Sequence, residues 1–430
     1  MAEFFTESEA RELCELILAQ STADAAQVKL SSGSEGFTTV TGDQVSTSGE
    51  ASVSTASVTS IVGGRVGCVR WNDFSLAGLQ RAVARSEELA TSAPQDPEAV
   101  PFLGPQDYVN SQAFFTTTAD LGAADRADAL LAVINSATAA GLVAAGFMQR
   151  AVRSAAVANS IGLFAYHDST LAAFTTTART PDGTGSGWAG TTHNDWLYMT
   201  APNELAERAI DKARGSQGAE PVAPGTYTVV LEPTAVGNLV QLIQPALDAR
   251  SVDEGRSFFS RPGGSNVVGE QVIDERLSLL SDPTDPDLLT CPFSDDGLPL
   301  VRTTWIEEGL LRSLAYSRYW AQRQGRDAVV AGGGIKLTGG DGTTADLIRS
   351  VERGLLVTRL RDVRAMDQSS SQYTGHTTGG TFLIEDGQIV RPVRNLRFIE
   401  NPIVMLNKVE AIGSSVRVVA TDSGDIGGPV

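Results

Sequence analysis

Near the start of the chain, apolar residues recur with a helical period. Ala10, Leu13, Cys14, Ile17 and Leu18 fall on one face, and Thr6 with Glu9 has the spacing of a capping box, which predicts an amphipathic helix. Between residues 26 and 70 the pattern changes to near-alternation rich in Val, Ser and Thr. Its breaks at Gly42-Asp43 and Gly63-Gly64 predict antiparallel strands joined by hairpins. Ser75 is placed to cap a second helix with Leu79, Val83, Ser86 and Leu89 on its apolar face, and a proline-rich connector follows at 94–105. A third helix is predicted over 125–140 through Leu130, Leu131 and Ile134, then long strands over 142–160 and 163–179. Asn203 is positioned as the cap of a helix that buries Leu205, Ala206, Ala209, Ile210 and Ala213, with Gly215 just beyond its end.

The polar stretch 216–225, with Pro221 and Pro224, separates two regions of different pattern. We expect two domains, 1–220 and 221–430. After it come a strand over 226–231 and a helical segment from 234 to about 244 stopped by Pro245. Turns at Asp295-Asp296-Gly297, Glu307-Glu308-Gly309 and Glu385-Asp386-Gly387 lie between apolar runs, as hairpins require. The expected class is α+β: an N-terminal α/β domain with an antiparallel or mixed sheet and packed helices, then a mainly β C-terminal domain.

A length of 430 residues exceeds the roughly 250–300 at which one core stops growing, in keeping with two domains. The formal charge of −18 and the lack of any Lys/Arg cluster argue against a nucleic-acid partner. Cys14, Cys68 and Cys291 have no CxxC spacing and read as small hydrophobes in a reducing compartment. Glu3, Glu7 and Glu9 stand where a signal peptide needs a basic start, and no run of about 18 apolar residues occurs, so the expectation is a cytoplasmic protein with no membrane partner.

Gly185-Ser-Gly187-Trp-Ala-Gly190 matches GxGxxG but follows a Pro-Asp-Gly turn and opens no apolar helix, so a flexible loop is expected there. Phosphate-loop and GxSxG patterns do not occur. Asp282, Asp285, Asp287, Asp295 and Asp296 are interleaved with prolines and read as a solvated loop. His167, His193 and His376 are too far apart in sequence to form a helical ligand pair.

In the second half, a series of segments stands in an order that resembles the TldD/PmbA family of peptide-processing proteins. They are Pro292-Phe293-Ser-Asp-Asp-Gly297, Trp305-Ile-Glu-Glu-Gly-Leu-Leu311, Tyr316-Ser-Arg-Tyr319, Gly332-Gly-Gly-Ile335, Gly354-Leu-Leu-Val-Thr358 and Gly379-Gly380-Thr381-Phe382, continuing to Val393. Thinner likeness lies in Gly67-Cys-Val-Arg-Trp-Asn-Asp-Phe-Ser75 and Ala158-Asn-Ser-Ile-Gly162. Within the family, the TldD branch carries HExxxH, in which two imidazoles hold zinc and the glutamate acts on its bound water. The corresponding positions here are Gln241, Leu242 and Ala246. No histidine lies between His193 and His376, and no cysteine follows Cys291.

The resemblance therefore implies the TldE/PmbA-like branch, a pseudoenzyme subunit without zinc or catalytic residues of its own. Its partner would be a TldD-like HExxxH subunit that carries the zinc, and the heterodimer would enclose a cavity for an unfolded or precursor peptide. Two alternatives stay open: a peptide-maturation hydrolase with its own activity, and a stand-alone homodimeric peptide-binding protein. For peptide contact the candidates are Tyr373, Gly375, His376, Gly379 and Gly380. Their glycines permit close backbone approach, and Tyr373 and His376 add an aromatic face and a hydrogen-bonding ring. The segment is expected to be a loop before a strand at 381–385, with an ordinary mobile loop as the alternative.

Overall fold

A computed structural model describes residues 4–42 and 44–419; Glu3 and Asp43, named in the expectations above, lie outside the described residues. The N-terminal helix α1 (Glu7–Leu18) begins as its sequence requires. The Thr6 side chain accepts from Glu9 N–H while the Glu9 carboxylate accepts from Thr6 N–H, and Ala10, Cys14 and Ile17 are buried. Strands β1 (Ala25–Thr41), β2 (Gln44–Val62) and β3 (Arg65–Trp71) follow as antiparallel hairpins. Helix α2 (Leu76–Ser92) is capped by the Ser75 hydroxyl, which accepts from Gly78 N–H. A short helix α3 (Thr116–Ala119) and the longer α4 (Ala123–Ala139) lead into β4 (Val143–Asn159), β5 (Phe164–Arg179) and β6 (Ser186–His193).

These six strands form one antiparallel sheet in the order β3-β2-β1-β4-β5-β6. Helix α5 (Pro202–Gly215) returns across it. Because side chains alternate along a strand, β1 sends Val28, Leu30 and Val40 to a single face. That face is covered by α1 and α2 at one end and by α4 and α5 at the other, through two apolar clusters. Each larger aliphatic side chain buried there contributes roughly 1.5–3 kcal/mol. Among the described residues, no long helix packs on the opposite face. Near β4 and β5 the connector residues Leu103 and Tyr108 and the Phe293 turn pack on it, while Val53 and Val143 farther along remain 63% and 42% exposed.

Two local expectations need correction. Helix α5 starts at Pro202, whose fixed φ and missing N–H suit the first helical position, so Asn203 lies inside the helix; Gly215 is its last residue, not the one beyond it. The GxGxxG segment is strand β6, not a flexible loop. A Cβ on Gly187 would lie 2.1 Å from the Ala209 carbonyl oxygen of α5, so the glycine lets the helix backbone sit directly on the strand.

The C-terminal half holds two smaller sheets. Strand β7 (Thr228–Leu231) pairs in parallel with β12 (Arg353–Asp367), which continues antiparallel to β13 (Gln372–Glu385); β14 (Gln388–Pro392) and β15 (Arg397–Glu400) both pair with β13. The second sheet has the order β10-β9-β8-β11, from β8 (Ser278–Ser281), β9 (Thr303–Glu307), β10 (Leu310–Leu311) and β11 (Lys336–Thr338). Its core centres on fully buried Trp305, whose indole N–H donates to the Ser281 hydroxyl at 3.1 Å. Two of the expected hairpins have the two-residue primed form, with positive φ at both Glu308-Gly309 and Asp386-Gly387. The class is α+β, as expected.

Candidate functional site

The helix where a zinc motif would stand is α6 (Pro233–Val240). It begins at Pro233, and its α-geometry ends at Val240. The chain then tightens into a 3₁₀ stretch, Gln241–Leu247, that contains Pro245. This differs from a helix stopped by Pro245. A proline supplies no N–H and disfavours the α-conformation of the residue before it, and the chain leaves α-geometry a turn earlier for the tighter 3₁₀ form.

The three motif positions do not converge. Leu242 packs with Val357, Leu360, Phe398 and Met405 beneath β12, whereas Ala246 belongs to the separate core around Trp305. Gln241 is half-buried, its amide donating to the Asn238 carbonyl at 3.5 Å. A methyl, an isobutyl and a carboxamide pointing into different clusters do not fit a zinc ion, which needs thiolate, imidazole or carboxylate donors around one point. No step of chemistry runs through a metal here.

The segment 372–380 is not a loop: it is the first half of β13, and most of it is buried. Its side chains divide between two faces. Tyr373 is turned toward the 3₁₀ stretch, and its hydroxyl donates to the Leu242 carbonyl at 3.1 Å; burial pushes its pKa up. Gly375 lies on the same side, under the ring of Phe398. One candidate peptide contact and the degenerate metal position are thus joined directly.

His376 faces the other way. It is half-buried, and its Nδ1 makes no hydrogen bond, with the Asp362 carboxylate 4.0 Å distant. Gly379 and Gly380 form a bulge between the pairs Arg359–Thr378 and Val357–Thr381. Their φ values of 72° and 117° are open to glycine, and the Thr358 hydroxyl sits between the Thr378 and Gly380 carbonyls at 3.1 and 2.9 Å. A Cβ on Gly379 would be 3.5 Å from Trp188 Cβ, so the bulge brings β13 against β6 of the first sheet.

Register places further residues on the His376 face that composition did not single out. Arg361 on β12 and Arg397 on β15 lie directly opposite His376 on either side, Arg364 lies opposite Thr374, and Arg359 lies opposite Thr378. The Arg359 guanidinium stacks over the Trp188 ring at 4.4 Å. The period-two spacing of Arg359 and Arg361 was a legible signal, since residues two apart in a strand share a face. Arg397 could be added only from the pairing of β15.

The remaining candidates are structural. The acidic run is a loop, but a tethered one: Lys336 Nζ lies 2.9 and 2.8 Å from Asp285 and Asp287, Arg318 pairs with Asp296 at 3.3 Å, and Lys29 with Asp295 at 3.2 Å. His167 is buried in β5 with Nε2 unpartnered, and desolvation lowers its pKa to about 4. His193 Nδ1 accepts from Asp195 N–H at 2.9 Å, and burial lowers its pKa as well.

Comparison with known proteins agrees with this architecture. The profile of the PmbA/TldA metallopeptidase central domain matches residues 117–217, and that of the PmbA/TldA metallopeptidase C-terminal domain matches residues 224–430. The chain belongs to the PmbA/TldD family. It is 24% identical over 283 residues to a metalloprotease of Methanothermobacter thermautotrophicus, covering 62% of this chain and 61% of that protein. It is 23% identical over 211 residues to a metalloprotease TldD homolog of Buchnera aphidicola, covering 45% of this chain and 42% of that protein. These aligned stretches span less than two thirds of either relative. The crystal structure of TldE from Thermococcus kodakarensis superimposes with a TM-score of 0.84 at 17% identity, covering 98% of this chain and 97% of that one, which establishes the shared fold.

Proposed function

We propose that this chain is the non-catalytic subunit of a heterodimeric metalloprotease that processes unfolded or precursor peptides. A TldD-like partner carries HExxxH and the zinc, and this chain lines the substrate cavity. The observation that carries the reading is the replacement of the motif by Gln241, Leu242 and Ala246, which belong to no common metal-binding point. The exposed face of β12, β13 and β15 supports a peptide role. It stands beside a face of the first sheet, and the outer edge of β15, which pairs only with β13 among the described strands, offers main-chain groups to which an extended polypeptide can add. In this reading the chain divides at 216–225 into units 1–220 and 221–430. It works in the cytoplasm; among the described residues no helix is long and apolar enough to cross a membrane.

Co-expression with a TldD-like partner tests the reading. The expected result is a stable complex with chelator-sensitive peptidase activity that neither subunit shows alone, while this chain purified by itself holds no stoichiometric zinc on elemental analysis. Obligate interfaces bury roughly 2,000–5,000 Å², so the complex should survive dilution on size-exclusion chromatography. One zinc per chain that persists through dialysis, or elution profiles of the two proteins that simply superimpose, would overturn it. Within the complex, His376→Ala should lower kcat/KM for peptide through direct contact, and Tyr373→Ala and Gly379→Val, at buried positions, through the shape of the wall, while zinc content and assembly stay unchanged. Unaltered kinetics in all three would move the peptide path elsewhere.

A further inference from the structure

We propose that the arginine-bearing face of β12, β13 and β15 is a carboxylate receptor that selects acidic segments of an extended polypeptide. The inference rests on the peptide-lining role above and names the class of peptide that this wall favours.

Strand register sets the arrangement. Arg361, His376 and Arg397 form one row across three adjacent strands, and Arg359 and Arg364 stand on the same face two rungs away on either side. Directly opposed residues in antiparallel strands have Cβ atoms about 4.5–5.5 Å apart, so His376 adjoins an arginine on either side, and the guanidinium groups of Arg361 and Arg397 flank it. Such a grouping of like charge is unfavourable unless an anion joins it. Among the described residues the carboxylate beside the row is that of Asp362, which pairs with Arg361 at 3.6 Å and lies 4.0 Å from His376 Nδ1, so one carboxylate serves the row. Among the described residues Arg364 and Arg397 are in no ion pair, and Arg397 donates from Nε to the Thr374 hydroxyl at 3.1 Å.

The rest of the molecule makes the contrast informative. A chain of net charge −18 repels acidic peptides at long range, so a cationic face is a local, directional exception. Arg361, Arg364 and Arg397 are exposed while Arg359 is half-buried, and the guanidinium fork matches a carboxylate in two-point geometry. The opposite side of the same strands is filled by Leu360, Val363 and Phe398 against α6, so the cationic side is the one open to a ligand. At its far end, Arg359 is fixed against Trp188, which ties the face to the first sheet.

The test uses the purified full chain and a fluorescent, unstructured dodecapeptide of alternating Glu and Ser, with Gln-for-Glu and Lys-for-Glu versions as controls. Fluorescence anisotropy at low salt should show the Glu peptide binding at least about tenfold tighter than its Gln counterpart, since each exposed ion pair contributes up to about fivefold and several form together. The preference should shrink as ionic strength rises. R364Q with R397Q should abolish it. D362N should increase affinity for the Glu peptide and leave the fold intact, because asparagine tolerates the φ of 52° at that position. Equal binding of the Glu and Gln peptides, or a preference that survives R364Q/R397Q, overturns the inference. Assembly with the TldD-like partner and turnover of a neutral peptide report on the subunit role separately, so the two can fail independently.

Discussion

The two halves of the molecule build β-structure in opposite styles. In the N-terminal sheet, β1 and β4 pair over fifteen consecutive rungs without a shift, and β4 with β5 over sixteen. In the C-terminal sheet, β12 and β13 change register three times, at Val357/Arg359, Arg361/Arg364 and Ala365/Asp367. Positive φ at Asp362, Ser371, Gly379 and Gly380 falls in or between these two strands. A regular ladder gives a rigid floor for helices, while bulges re-aim side chains. The comparison teaches why all candidate ligand contacts sit in the irregular half: alternation along β13 already parts Tyr373 from His376, but only the bulge between Arg361 and Arg364 brings Arg364 onto the face of Arg359 and Arg361.

The comparison can be broken most directly at its cores. Trp305→Ala removes the largest fully buried side chain of the C-terminal half and should destabilise by about 3–5 kcal/mol, seen as a lowered thermal transition. If the halves unfold as separate units, calorimetry will show this transition move while the N-terminal one stays, and a single shifted transition would show that they unfold together.

His167 sharpens the view of the regular half. Its folded pKa of about 4 lies below the ordinary 6.5, so the folded state prefers the neutral ring. Stability is therefore full above pH 6.5 and falls as pH drops toward 4, because the unfolded chain binds the extra proton; at about 1.4 kcal/mol per pH unit the loss approaches about 3 kcal/mol. His167→Leu should remove that part of the acid sensitivity in denaturant titrations, and an unchanged pH profile would show that the ring is solvated at this site.

Gly187→Ala tests the contact of α5 with β6. The added Cβ would meet the Ala209 oxygen at 2.1 Å, so helix and strand must part, at roughly 1–3 kcal/mol by urea unfolding. The smallest effect is expected at Tyr373→Phe, which removes only the hydroxyl bond to the Leu242 carbonyl and should lower stability by about 1 kcal/mol. A larger loss would mean that this bond holds the 3₁₀ stretch in place.

Much of the fold could be read along the chain because its signals are local. The Thr6–Glu9 capping box, the Ser75 cap, the helical period of α2 and α4 and the two-residue turns at Glu308-Gly309 and Asp386-Gly387 each depend on neighbours a few residues apart. The lack of HExxxH is likewise a property of the sequence itself, independent of how it folds. Other features depended on partners distant in sequence. Whether Gly185-Ser-Gly187 was loop or strand was decided by the α5 backbone lying on it, and whether 372–380 was loop or strand by pairing with β12 and β15. The row of Arg361, His376 and Arg397 joins three strands whose register is set by bulges and by a chain reversal after β14. A period of two assigns residues to a face within one strand, but only tertiary pairing determines which residues of another strand stand beside them.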